Sequence, residues 1–130
     1  MKNMQLKQGE GELQSGKALI KEFSAGGESL KEKLLDDKGT LYLTNRRLVM
    51  EREISPEKSD LIFEFPLEAL QNAETRGVFG KVLIIETDLS KMSSGLKIKE
   101  GFGKFSIKID DPKTWVAQLS KAIKSRKEER

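Results

Sequence analysis

The sequence predicts a mainly β, single-domain protein of 130 residues. Seven or eight antiparallel strands form a small barrel or two-layer sandwich, and one C-terminal amphipathic α-helix caps it. Three observations carry this expectation. Segments such as 104–109 alternate apolar and polar residues with a period of two, as half-buried strands do. After Asp111-Pro112 the apolar spacing changes to threes and fours, the mark of one helical face. No run approaches the ~18–20 apolar residues needed to cross a bilayer. Charged residues make up 35% of the chain and apolar residues 36%, a balance that suits a packed core under a solvated surface. The core is expected over about 17–126, with 1–16 and 127–130 peripheral.

Taken in chain order, the first strand is expected at 17–23 (KALIKEF). Residues 24–39 read as a long loop, or as a loop with one helical turn through Leu30, Leu34 and Leu35. Leu41 and Leu43 then alternate, and another strand follows over 47–53. Asn45-Arg46 is therefore a tight turn, asparagine tolerating left-handed geometry. Leu61, Phe63, Phe65 and Leu67 alternate next, and Pro66 marks a strand end or edge. Residues 72–77 fit either a short strand or an irregular loop. The segment 81–87 (KVLIIET) is apolar on both faces, so this strand is covered on both sides. Leu96 and Ile98 alternate on one parity, and Phe105, Ile107 and Ile109 on the other, which puts a hairpin turn at 100–103. Asp111 suits a helix N-cap and Pro112 the first helical position. Trp115, Val116, Leu119, Ala122 and Ile123 form the apolar stripe, and 125–130 frays. A tryptophan in such a stripe is usually core. The expected core thus includes Leu41, Leu43, Leu48, Phe63, Phe65, Phe105, Ile107, Ile109, Trp115, Leu119 and Ile123.

Composition also limits the chemistry. The chain has no histidine and no cysteine, which removes the commonest general bases, thiol nucleophiles and zinc ligands. Asp36-Asp37 and Asp110-Asp111 are adjacent acidic pairs, but neighbours on extended chain point apart, and turn or cap duty explains them. No glycine-rich segment has the spacing of a phosphate loop. No enzyme activity, cofactor or metal is expected. The net charge of +3 sits wholly in 111–130, with six basic against three acidic residues, where cations complement a helix C-terminus. That pattern argues against a nucleic-acid partner, which would need a broader basic footprint. The N-terminal MKNMQLKQGEGELQSG lacks an apolar signal region, so a cytoplasmic location is expected.

The run from Gly39 to Met50, GTLYLTNRRLVM, resembles the second and third strands of GRAM-type domains in the pleckstrin-homology-like superfamily. FEFPLEAL (63–70) and KFSIKIDDPKTW (104–115) resemble the strand-and-turn that follows and the last strand entering its tryptophan-bearing helix. The resemblance covers about residues 17–126. It implies a sandwich of two sheets capped by a helix, and a domain that binds phosphoinositides, peptides or other proteins. Lipid-binding members place basic residues around the first loop. Here Lys17 and Lys21 are offered by the first strand, but 40–43 carries none. In the loop, Lys31, Lys33 and Lys38 meet Glu28, Glu32, Asp36 and Asp37, so the usual inositide site is not expected.

One surface remains as a candidate site. Phe79 and Phe102 each sit at a glycine-flanked turn, bordered by Arg76 and Lys81 in one case and by Lys99 and Lys104 in the other. If 72–77 is a strand, successive turns of an up-and-down meander alternate between ends, and both phenylalanines fall at the same end, with the 24–38 and 54–60 loops. Such a pair could dock a protein or peptide, or enter an anionic membrane; the plainer alternative is that both rings fold inward and seal the barrel. Arg46, Arg47 and Arg52 among Glu51 and Glu53 read as a cross-strand charge ladder. A protein-interaction module, with self-association through a sheet edge as one route, is the leading expectation, and peripheral lipid binding the alternative.

Overall fold

The computed structural model describes residue 6 and residues 8–25, 28–30, 38–77, 81–91 and 101–128. It is mainly β, with strands β1 (Glu12–Ala25), β2 (Glu28–Leu30), β3 (Lys38–Thr44), β4 (Arg47–Ser55), β5 (Lys58–Pro66), β6 (Leu70–Arg76), β7 (Val82–Asp88) and β8 (Phe102–Ile109). Helix α1 (Pro112–Glu128) follows. All pairings are antiparallel. The seven longer strands form one sheet in the order β5-β4-β3-β1-β8-β7-β6, and the three-residue β2 pairs with the end of β1. The edge strands β5 and β6 are not paired with each other, so the sheet is open and does not close into a barrel, one of the two forms expected.

The sheet nevertheless folds over on itself. In a flat sheet β5 would lie four strand spacings, roughly 19 Å, from β8. Yet the rings of Phe63 on β5 and Phe105 on β8 are centred 5.0 Å apart. The strand responsible is β1. Its residues 12–19 pair with β3 and its residues 18–25 pair with β8, so it hands over from one neighbour to the other near Ala18-Leu19. A register shift at Ile20/Glu22 lies just beyond the handover. Such bulges let a strand turn the corner between two packed faces. This one also keeps Glu22 exposed and puts Phe23 inside.

Between the two halves lies the core. Leu41, Leu43, Leu48, Phe63, Phe65, Phe105, Ile107 and Ile109 are buried there, with Trp115, Leu119 and Ile123 of α1. Phe23 stacks on Phe105 with centroids 4.6 Å apart, and Phe65 meets the same ring edge-on at 5.9 Å. Aromatic contacts of this kind contribute about 0.5–1.5 kcal/mol each beyond area burial. The helix packs mainly on β6 and on the 3₁₀ turn Leu67–Ala69, and also touches β7 and β1. Trp115 is 1% exposed, and its indole lies over Gly16 of β1.

Several local expectations are corrected. The first strand starts at Glu12, inside the segment expected to be peripheral, and Leu30 belongs to a strand, not to a helical turn. Of the two readings of 72–77 the strand holds, over 70–76, and the 54–60 loop is a tight hairpin around Pro56-Glu57. The helix runs to Glu128, past the point where fraying was expected. Leu61 is 41% exposed whereas Ile62 is 7% exposed, because a register shift opposite Met50/Glu51 reverses the alternation at that point. Asp111 has a left-handed φ of 54°, and its carboxylate accepts from the Thr114 hydroxyl at 2.8 Å, not from a backbone N–H. Residues 31–37, with Leu34 and Leu35, and the strand expected at 96–98 lie outside the described residues. Among the described residues, no helix is long and apolar enough to cross a membrane.

Candidate functional site

The fragment that carries the family resemblance is occupied by architecture. A side chain at Gly39 would collide with the Glu51 carbonyl oxygen, so only glycine lets β3 and β4 approach there. Thr44 holds the turn: its hydroxyl accepts the N–H groups of Arg46 and Arg47 at 3.1 and 3.0 Å and donates to Glu10 Oε2 at 2.6 Å. Asn45 does not adopt the left-handed geometry expected of it. Instead its Oδ1 accepts from the Gly11 N–H at 2.9 Å and its amide donates to the Gly9 carbonyl at 3.2 Å, tying down the chain before β1.

Arg47 completes this latch. Its Nε and Nη2 donate to the two oxygens of Glu10 at 2.8 and 3.0 Å, and Nη1 donates to Glu64 Oε1 at 3.0 Å. The Glu10 side chain is 0% exposed and that of Arg47 11%. Hydrogen bonding from Glu10 raises the Arg47 pKa above its ordinary value; burial opposes this and the charges of Glu10 and Glu64 add to it. Arg52 meets Asp60 at 3.7 Å across β4 and β5. Arg47 with Glu64 and Arg52 with Asp60 are cross-strand pairs between β4 and β5, as a ladder requires, but Glu10 reaches Arg47 from before β1 and the carboxylates are not Glu51 and Glu53.

The residues expected to form one aromatic end separate. Phe102 opens β8 opposite Asp88, whereas Arg76 pairs with Val82 at the other end of β7. The six residue steps from Val82 to Asp88 span roughly 20 Å. The cause is connectivity: β8 pairs directly with β7, so the turn after Arg76 and the start of β8 fall at opposite ends. Phe79 and Lys99 lie outside the described residues. Arg76 and Lys81 are exposed, and Arg76 pairs with Glu74 at 3.1 Å. Lys104 is half-buried, in register with Glu86. Phe102 does not fold inward: it is 64% exposed. Gly101 before it has φ of 79°, and a side chain on Gly103 after it would collide with Leu89 at 2.8 Å. The ring is displayed from a backbone tied to its neighbours by the Leu89 N–H to Gly101 carbonyl hydrogen bond at 2.9 Å and by pairing with β7.

A second feature was not visible to sequence reasoning. On the outer surface, where β1 changes partners, a cleft of about 360 Å³ opens among the outward residues of β1, β3 and β8. Lys17 and Leu19 come from β1, Thr40 from β3, and Lys108 and Asp110 from the end of β8. Lys17 is in register with Thr40, and Leu19 with Lys108. Beside it, the Tyr42 phenol is buried on the outer face against Val49. Burial raises its pKa, the nearby Glu51 raises it further, and a hydrogen bond with Thr40 works in the opposite direction. The parity of 17 and 19 was legible, but the handover of β1, which brings Lys108 beside Leu19, was not. Compared with known proteins, the chain matches no family model and no curated protein.

Proposed function

We propose that the chain is a non-catalytic binding module of the pleckstrin-homology-like, GRAM-related type, and that it engages a protein partner. The antiparallel seven-strand sheet with its C-terminal helix supports the type, as does the structural use of the Gly39–Met50 fragment. The lack of histidine and cysteine supports the non-catalytic reading. One observation carries the partner: Phe102, an aromatic ring 64% exposed on a strand whose backbone is already ordered. Because the backbone of Phe102 is already paired with β7, a partner that covers the ring does not have to order the strand beneath it.

Membrane insertion has less support. It needed both phenylalanine turns at one end, and their described flanks stand at opposite ends of β7. Phe102 also faces Asp88 in the register, which an anionic surface would repel. The test compares wild type with Phe102→Ala in quantitative affinity capture and in co-sedimentation with phosphatidylserine vesicles. We expect proteins held by the wild type to be lost from the variant, with neither chain sedimenting. Identical capture by both would remove Phe102 from the interface. Sedimentation of the wild type alone would transfer the reading to lipid.

A further inference from the structure

We propose that the cleft at the handover of β1 binds a single carboxylate carried next to an apolar side chain, as on a glutamate- or aspartate-bearing peptide segment of a partner protein. The inference rests on reading the chain as a binding module but uses a surface distinct from Phe102, which lies at the far end of β8.

Two features set the chemistry. First, the lysines converge. Leu19 stands opposite Lys108, and Lys17 is two residues before Leu19 on the same face of β1. Diagonal positions of this kind lie about 7–8 Å apart, so both flexible ammonium groups reach one anion between them. Among the described residues neither lysine has an ion-pair partner, and both side chains are exposed. The two arginines of β4, by contrast, are already matched, Arg47 by Glu10 and Glu64 and Arg52 by Asp60. Second, the surroundings select against a multiply charged ligand. The charged residues that line the cleft, Lys17, Lys108 and Asp110, sum to a formal +1, which one carboxylate neutralises and a phosphate dianion overshoots. Leu19 lies half-buried beside the lysines, giving an apolar side chain a surface to cover.

The test is a titration of the uniformly ¹⁵N-labelled full chain, followed by amide chemical shifts. The probe is the capped peptide acetyl-Leu-Glu-Leu-amide, whose only charge is the glutamate carboxylate. Its neutral counterpart acetyl-Leu-Gln-Leu-amide, sodium acetate and inorganic phosphate are the comparison ligands. The glutamate peptide should shift amides along 17–19, 39–40 and 108–110 and bind more tightly than any of the other three. Lys17→Ala and Lys108→Ala should each weaken it about three- to fivefold, the range for one exposed ion pair, and Lys17→Arg and Lys108→Arg should retain it. Phe102→Ala should leave this titration unchanged, so a failure here is separable from a failure of the partner reading. Equal binding of the glutamine peptide would overturn the proposal, as would tighter binding of phosphate. Shifts confined to other strands, or alanine variants that bind like the wild type with an otherwise unaltered spectrum, would overturn it too.

Discussion

Removing Arg47 should destabilise the fold far more than removing any other arginine of the sheet. The guanidinium makes a two-point contact with Glu10 at 2.8 and 3.0 Å and a third bond to Glu64 at 3.0 Å. In Arg47→Ala the Glu10 carboxylate, fully shielded from solvent, would keep the Thr44 hydroxyl as a donor but lose its two-point contact with the guanidinium. Breaking one side of a buried pair costs about 3–5 kcal/mol, because the remaining charge stays desolvated. In a chain of this size that corresponds to a fall in Tm of about 10–18 °C. Arg52→Ala is the internal control: its 3.7 Å pair with Asp60 is solvent-exposed and is worth about 0–1 kcal/mol. Urea unfolding followed by Trp115 fluorescence gives both values. A double-mutant cycle with Glu10→Gln should show coupling of more than about 1 kcal/mol. If Arg47→Ala and Arg52→Ala cost the same, the segment before β1 is not latched to the β3–β4 turn and the reasoning fails.

Three further outcomes are expected. The chain has a single tyrosine, so phenolate absorbance reads Tyr42 alone; its midpoint should lie above 10.0 in the folded protein and return to that value in denaturant. Because the folded-state pKa is raised, the tyrosine's contribution is fully present below pH 10.0 and is lost as pH climbs through the folded value, a component that Tyr42→Phe should abolish. Gly39→Ala should cost at least about 1–3 kcal/mol through its clash with the Glu51 backbone, whereas Gly16→Ala, whose new methyl would meet Trp115 at 3.6 Å, should be nearly neutral by thermal denaturation. Ile62→Ser should destabilise by about 2–4 kcal/mol as a buried apolar loss, and Leu61→Ser by less than about 0.5 kcal/mol; equal costs would place the register shift elsewhere.

Burial was the most legible property of this sequence. Period-two alternation in 104–109 and the helical stripe from Trp115 depend only on local geometry, and the side chains they point inward are buried. Leu61 was misread because one bulged residue reverses parity, and nothing within the segment signals it. Asn45 was read as a backbone device, yet its side chain reaches 34–36 residues away to Gly9 and Gly11, a contact set by tertiary pairing. The site residues were the least legible for the same reason. Whether Phe102 shares an end with the turn after Arg76 depends on which strand follows β7 in the sheet, and strand order is not a local property. The cleft between Lys17 and Lys108 arises from residues 91 positions apart, joined only by the path of β1.

That path is the point on which the core, the open sheet and the cleft all depend, and nuclear Overhauser contacts along β1 test it directly. Backbone contacts from Lys17 to Thr40 and from Ile20 to Ile107, together with contacts between the Phe63 and Phe105 rings, are the expected result. A β1 that contacts β3 along its whole length and never reaches β8, with no signal between those two rings, would contradict it.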